Sequence, residues 1–119
     1  MNEAGEHIDH QHLEKYVSGD SMLRDEILEI FVEQVAALIE RFDVLQHDSD
    51  WKDVAHTLKG ASRGVGAWAL GDLGATAEEL VGASPGKAEA RATLLVSIRH
   101  QARQVIDEAM RSRTAALAS

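Results

Sequence analysis

Between Ser21 and His47, apolar residues recur every three or four positions: Leu23, Ile27, Ile30/Phe31, Val35, Leu38, Phe42 and Leu45. Neither Gly nor Pro interrupts the run. This period matches one face of an α-helix and predicts a helix over 21–47, roughly 40 Å long at about 1.5 Å per residue. Its other face carries Arg24, Asp25, Glu26, Glu29, Glu33, Glu40 and Arg41, so the apolar stripe reads as core. Upstream, Ile8, Leu13, Tyr16 and Val17 predict a short helix that lays apolar residues on the same core. Ser18-Gly19-Asp20-Ser21 stops it and offers caps for the long helix.

Asp48-Ser49-Asp50 reads as a turn, with Ser49 or Asp50 as N-cap of a helix that runs to about Val65. Gly64 and Gly66 supply its stop. Leu70, Leu73, Ala77 and Leu80/Val81 predict the next helix, from about Ala67 to Val81, ended by Gly82. Gly71 and Gly74 within it have two readings: close approach of a neighbouring helix, or tolerated surface glycine. Ser84-Pro85 reads as an N-cap followed by Pro at the first helical position. Leu94/Leu95, Ile98, Ala102, Val105/Ile106 and Ala109 then give a last helix that fades near Arg111-Ser112-Arg113-Thr114. No stretch shows the period-2 alternation of a strand. The expected fold is all-α: an antiparallel up-down-up-down four-helix bundle with a short extra N-terminal helix. Residues 1–7 are expected to form a flexible tail, and 8–119 the bundle domain.

The chain has 119 residues and 45% apolar content, enough for one domain with a true core. It has no cysteine, so disulfides and thiolate metal sites are excluded. No apolar run reaches the roughly 18 residues of a membrane span, and no signal-peptide pattern opens the sequence. A soluble, cytoplasmic protein is expected. The formal charge of −8 argues against nucleic acid as the main partner. The charge is uneven: residues 1–50 carry three basic and thirteen acidic side chains, and residues 51–119 nine basic and seven acidic. A locally less acidic half on an acidic body suits a site that meets an anion.

That half contains Ala55-His56-Thr57-Leu58-Lys59-Gly60-Ala61-Ser62-Arg63-Gly64-Val65-Gly66. On a helical wheel, Trp51, Val54, Ala55, Leu58, Ala61, Ser62 and Val65 share a sector roughly 120° wide. His56 points about 160° away from its centre. Lys52, Lys59 and Arg63 lie within roughly 60° of His56 on the outer face. Gly60 places no side chain beside it, at a cost of roughly 1 kcal/mol relative to Ala. An imidazole beside cations and bare backbone is a candidate reaction site. On periodicity alone, a simple surface histidine fits as well.

His56-Thr57-Leu58-Lys59-Gly60-Ala61-Ser62, followed by Gly66-Ala67 and Leu70, resembles the signature of histidine phosphotransfer (HPt) domains. With the helices on both sides, the resemblance covers roughly residues 8 to 110. It implies a phosphocarrier rather than an enzyme. Such a protein takes a phosphoryl group from a receiver-domain aspartate of a hybrid histidine kinase and passes it to that of a response regulator. It implies His56 as phospho-acceptor, Lys59 as electrostatic helper and Gly60 as the clearance residue. Lys52, Arg63 and Gly64 are expected to meet the partner. No cofactor is expected on this chain, since Mg²⁺ in such pairs belongs to the receiver. The chain has no P-loop and no kinase glycine loop, so the phosphoryl group must come from another protein. Dimeric relatives usually carry a second domain for which this chain is too short, so a monomer is expected.

One position departs from the family pattern. Some members place a polar amide where this chain has Glu78. A carboxylate there repels a phosphoryl group unless it orients the imidazole by accepting its other ring N–H; it can also simply be solvated. Two competing functions are open to the same residues. A helical adaptor would bind a signalling protein through the basic face without phosphorylation. A metal-binding bundle would use Asp53 and His56 at i, i+3, but such ligands project inward and His56 projects outward. His7, His10 and His12, spaced by 3 and 2, do not share one helix face.

Overall fold

The computed structural model describes residues 6–118, with side chains described as far as Arg113. Asp9 starts the first helix, α1 (His10–Val17), by accepting the His12 backbone N–H on its side chain. Ser18 closes it in the left-handed region (φ 53°), its N–H bonded to Lys15 O, and Gly19 continues the turn at φ 76°. Leu13 and Val17 face the core, whereas Tyr16, expected to join them, is exposed.

Asp20 caps α2 (Ser21–Arg41) through the Leu23 backbone N–H. This helix buries Leu28, Phe31, Val35 and Leu38. Leu23 and Ile30, read from the sequence as part of the stripe, lie about 100° round the helix from that line and are exposed. The helix is also one and a half turns shorter than its apolar period predicts. Phe42 turns extended (ψ 126°) to bury its ring. Asp43 then accepts the Leu45 N–H while the Gln46 side chain bonds Asp43 N and Arg41 O. These local bonds compete with helix continuation and leave Leu45 in solvent.

Helix α3 (Asp48–Gly64) takes in Asp48, Ser49 and Asp50, which the sequence placed in a turn. His47 is its N-cap and makes no side-chain cap bond. Its C-terminal end is a Schellman closure. Gly66 (φ 83°) donates to Arg63 O and Ala67 donates to Ser62 O. The Gly66 carbonyl accepts the Asp9 N–H, and a Cβ at Gly66 would stand 2.9 Å from Asp9 O. The N-terminal segment therefore docks against the end of α3.

Helix α4 (Trp68–Glu78) stops three residues before the predicted end. Past it, Glu79 and Leu80 bond back to Thr76 and Ala77, and Gly82 turns at φ 96°. The Ser84-Pro85 restart is displaced as well. Pro85 and Gly86 (φ 77°) form the centre of a turn in which Lys87 N bonds Ser84 O. Pro followed by a positive-φ Gly is the type II pattern. Helix α5 (Lys87–Ala118) begins only then and continues past the predicted fade. At about 1.5 Å per residue its 32 residues extend about 48 Å, close to the 52 Å long axis of the molecule. No strand occurs among the described residues, and none of their helices is long and apolar enough to cross a membrane.

Trp51 is the largest fully buried side chain. Its indole N–H donates to Ala77 O at 2.7 Å and Phe42 meets its ring edge-on at 4.9 Å. Over the ring lies Arg91, only 1% exposed, with the guanidinium 4.5 Å from its centroid. Arg91 donates to the carbonyls of Leu80, Val44 and Gln46 and to Asp48 Oδ1. One buried cation thus ties the turn after α2 and the turn after α4 to the start of α3.

Asp48 also accepts from Lys87 Nζ at 2.9 Å and from the Gly82 N–H at 2.8 Å. The Lys87 hydrogen bond, the Gly82 N–H and the charges of Lys87 and Arg91 hold its carboxyl at about 2 rather than 3.8. A carboxyl lowered on folding stabilises the fold above its unfolded pKa, and that contribution is lost as pH falls through the folded value. Acid titrations of Asp48→Asn should therefore show a flatter loss of stability between about pH 4 and about pH 2 than the native protein. An unchanged slope would show that Asp48 is not a source of the acid sensitivity.

The expected tail at 1–7 lies outside the described residues as far as residue 5. His7 departs from it: its N–H donates to Glu108 Oε1 at 2.6 Å, and Ile8 N donates to Glu108 Oε2 at 2.9 Å. Ile8 is fully buried. The three neighbouring histidines go to different places. The His7 ring meets Gln101, His10 meets Glu108, and His12 bonds Gly64 O and packs edge-on against Trp68.

Candidate functional site

Helix α3 buries Trp51, Val54, Ala55, Leu58 and Ser62, so position 56 faces outward. The His56 side chain is 69% exposed. Around it the sequence-derived residues separate into three groups.

Gly60 and Gly64 line an open strip. A Cβ at either would meet nothing within 4 Å, so no packing among the described residues explains the cost of Gly60 in mid-helix. Lys52 is exposed on the same helix and has no ion pair among the described residues. Arg63 lies 3.5 Å from Asp72, with both side chains largely exposed, a pairing of little strength in water.

Lys59 departs from the expected free outer cation. Its side chain is 24% exposed and Nζ sits 2.6 Å from Glu78 Oε1. The angle there falls outside hydrogen-bond geometry, and the contact is an ion pair. The other Glu78 oxygen, Oε2, is 3.4 Å from His56 Nδ1. Glu78 is only 15% exposed, which overturns the reading of it as a solvated surface residue. Lys59 is the main cause that holds its carboxyl below the usual 4.5; His56 adds to this, and partial burial opposes it. Glu78 is therefore a carboxylate at neutral pH and an acceptor only. Facing it, Nδ1 must be the donor, which leaves the lone pair of the neutral imidazole on Nε2.

Close packing of α4 on α3 makes this reach possible. A Cβ at Gly74 would lie 3.0 Å from Lys59 N and 3.1 Å from Ala55 O; at Gly71 it would lie 2.9 Å from Arg63 Cγ. Of the two readings of these glycines, close approach is the one found. Glu78 stands one turn beyond Gly74 on the same helix. The i, i+3 glycine pair was the sequence signal for this close approach and the wheel turned Trp51 inward, but nothing in the sequence marked Arg91, which backs Trp51. Ser62 is buried as the wheel indicates, and its hydroxyl has no hydrogen-bond partner. No cluster of three or more metal-ligating side chains occurs among the described residues.

A family model described as the Hpt domain matches residues 26–113, well over half of the chain. No curated protein and no solved structure matches it. The matched span contains all of α3, α4 and the His56–Lys59–Glu78 cluster. An all-helical chain with an exposed histidine at this motif and a family match of this extent belongs to the Hpt domain family, the histidine phosphotransfer carriers of two-component phosphorelays.

Proposed function

We propose that His56 is the phospho-acceptor of a relay between receiver-domain aspartates, one of a hybrid histidine kinase and one of a response regulator. The observation that carries this reading is the cluster itself: an exposed imidazole whose Nδ1 faces a carboxylate, beside a lysine and a bare strip of helix backbone. The neutral ring attacks phosphorus through Nε2. The P–O bond to the receiver aspartate breaks, the N–P bond forms, and the aspartate leaves as a carboxylate. The Nδ1 proton stays, so positive charge develops on the ring opposite Glu78. Transfer onward is the reverse step, and the ring departs as neutral imidazole. Lys59 is near enough to divide its charge between Glu78 and the phosphoryl oxygens. Gly60 and Gly64 let the receiver approach the backbone, with Lys52 and Arg63 as docking charges. Mg²⁺ would be held by the receiver, not by this chain. The contacts 51–77 and 63–72 across α3/α4, 29–113 across α2/α5, and 46–91 between the turn after α2 and the first part of α5 support the up-down-up-down reading of the bundle.

The test is incubation with a phosphorylated receiver domain. The expected product is labelled protein whose label is acid-labile and alkali-stable. Receivers that bind without labelling it would give the site to the adaptor reading instead. A second expectation concerns salt. The Debye length falls from about 10 Å at 0.1 M to about 3 Å at 1 M, so the transfer rate should drop several-fold as salt rises. Lys52→Ala should flatten that dependence. A rate indifferent to salt removes Lys52 and Arg63 from docking.

A further inference from the structure

Helix α4 ends at Glu78, and beside the local bonds from Glu79 and Leu80 its last turn is held by donors from other helices. Ala77 O takes the Trp51 indole N–H at 2.7 Å, and just beyond the helix Leu80 O takes Arg91 Nε at 2.9 Å. Both donors are buried. The Phe42 ring and the Arg91 guanidinium both pack on the indole and hold its plane. Trp51 lies five residues before His56 on one continuous helix, and Ala77 immediately precedes Glu78. A bond from 51 to 77 therefore limits how far α4 can slide along α3. The missing Cβ at Gly74, which would stand 3.0 Å from Lys59 N, lets the two helices lie this close. Together these two constraints place Glu78. The Glu78–His56 contact, at 3.4 Å, is already at the long limit of a hydrogen bond, so a shift of a few tenths of an ångström removes it.

We propose that Trp51 is a positioning residue for phosphoryl transfer at His56: its buried indole N–H, bonded to Ala77 and backed by Arg91, sets the register of α4 on α3 that keeps Glu78 against Nδ1. This rests on His56 being the phospho-acceptor. The bond does nothing to the phosphoryl group directly. It acts through Glu78 on which ring nitrogen keeps the proton, and so on whether Nε2 presents a lone pair. When α4 moves off, the neutral ring divides between its two tautomers and loses the carboxylate opposite its developing charge.

The test is Trp51→Phe, which keeps an aromatic ring against Phe42 and Arg91 but has no N–H. The ¹⁵N shifts of the His56 ring, read above its titration, report the tautomer directly and need no receiver. The transfer rate is read alongside, at a temperature where the variant is folded. The native protein should show Nδ1–H dominant. Trp51→Phe should show a mixture with Nε2–H and transfer about five- to tenfold more slowly. Native ring shifts and a native rate, with only a lower melting temperature, would make Trp51 a packing residue and overturn the proposal. Altered ring shifts with a native rate would overturn it too, because the register would then not matter to transfer. If Trp51→Phe does not fold, Gly74→Ala asks the same question from the other side of the seam. Its added methyl must push α4 away from backbone atoms of α3, and unchanged ring shifts and rate there would also overturn the proposal. If the native protein takes no phosphoryl group at all, the reading of His56 fails. The ring shifts still show in that case whether Trp51 controls the Glu78 contact.

Discussion

His56→Gln takes no label from a phosphorylated receiver domain, a loss of at least about a thousandfold, because the amide that replaces the ring has no nucleophilic nitrogen. The fold should be unaffected. The native side chain is 69% exposed and makes one long contact, to Glu78. Surface substitutions of this kind change stability by about 0.5 kcal/mol or less, and Gln is the better helix former. The other histidines differ: His7, His10 and His12 are engaged by Gln101, Glu108 and Gly64, and among the described residues neither exposed His47 nor exposed His100 faces a carboxylate as His56 does. Circular dichroism and urea unfolding alongside the labelling separate chemistry from folding. Label retained near the native level in a folded His56→Gln protein would move the phospho-acceptor to another residue.

Arg91→Met loses about 3 kcal/mol of stability, near the lower end of the range for breaking a buried charged pair. Methionine keeps the apolar stem over Trp51 but removes every donor. The carbonyls of Leu80, Val44 and Gln46 then lose their Arg91 hydrogen bonds, and each buried acceptor left unpaired costs about 1–3 kcal/mol. Two terms work the other way. The guanidinium no longer has to be desolvated, and Asp48 is 40% exposed and keeps Lys87 and the Gly82 N–H. For a domain of this size the net loss lowers the melting temperature by about 10 °C. Urea unfolding should show a lower midpoint at an unchanged slope. Arg91→Lys should fall between the two proteins, since one ammonium cannot serve carbonyls on two separate turns. A loss below about 1 kcal/mol would mean that water replaces the guanidinium at those carbonyls.

Much of the site was readable along a single helix. Which residues of α3 face inward follows from a period of 3.6, and it placed His56, Lys52, Arg63 and Gly60 outside and Trp51, Leu58 and Ser62 inside. Lys59 shows where that reasoning ends. The wheel gives its direction, but not the carboxylate from α4 that pulls its ammonium down to 24% exposure. Glu78 was open between two roles, solvated or aimed at the imidazole, because nothing local distinguishes them. Gly71 and Gly74 were equally open, since a glycine that admits a neighbour and one that merely tolerates solvent look alike in sequence. Helix ends were the least readable. Leu45 continued the apolar period of α2, yet the Asp43 and Gln46 side chains won the backbone groups that a longer helix needed.

By itself, the sequence determined an all-helical chain, the inward and outward faces of its helices, the acidic first half, the exposed histidine and its motif. These are local properties: they depend on spacing, capping and composition within one or two turns. Only the tertiary structure decided that Glu78 joins Lys59 and His56, that Arg91 is buried among backbone carbonyls, and that His7 and Ile8 are held by Glu108. Each of these depends on what a different helix brings opposite. The energy of a charge or a hydrogen bond is set by that partner and by the water it excludes, and neither is written in the residue's own neighbourhood along the chain.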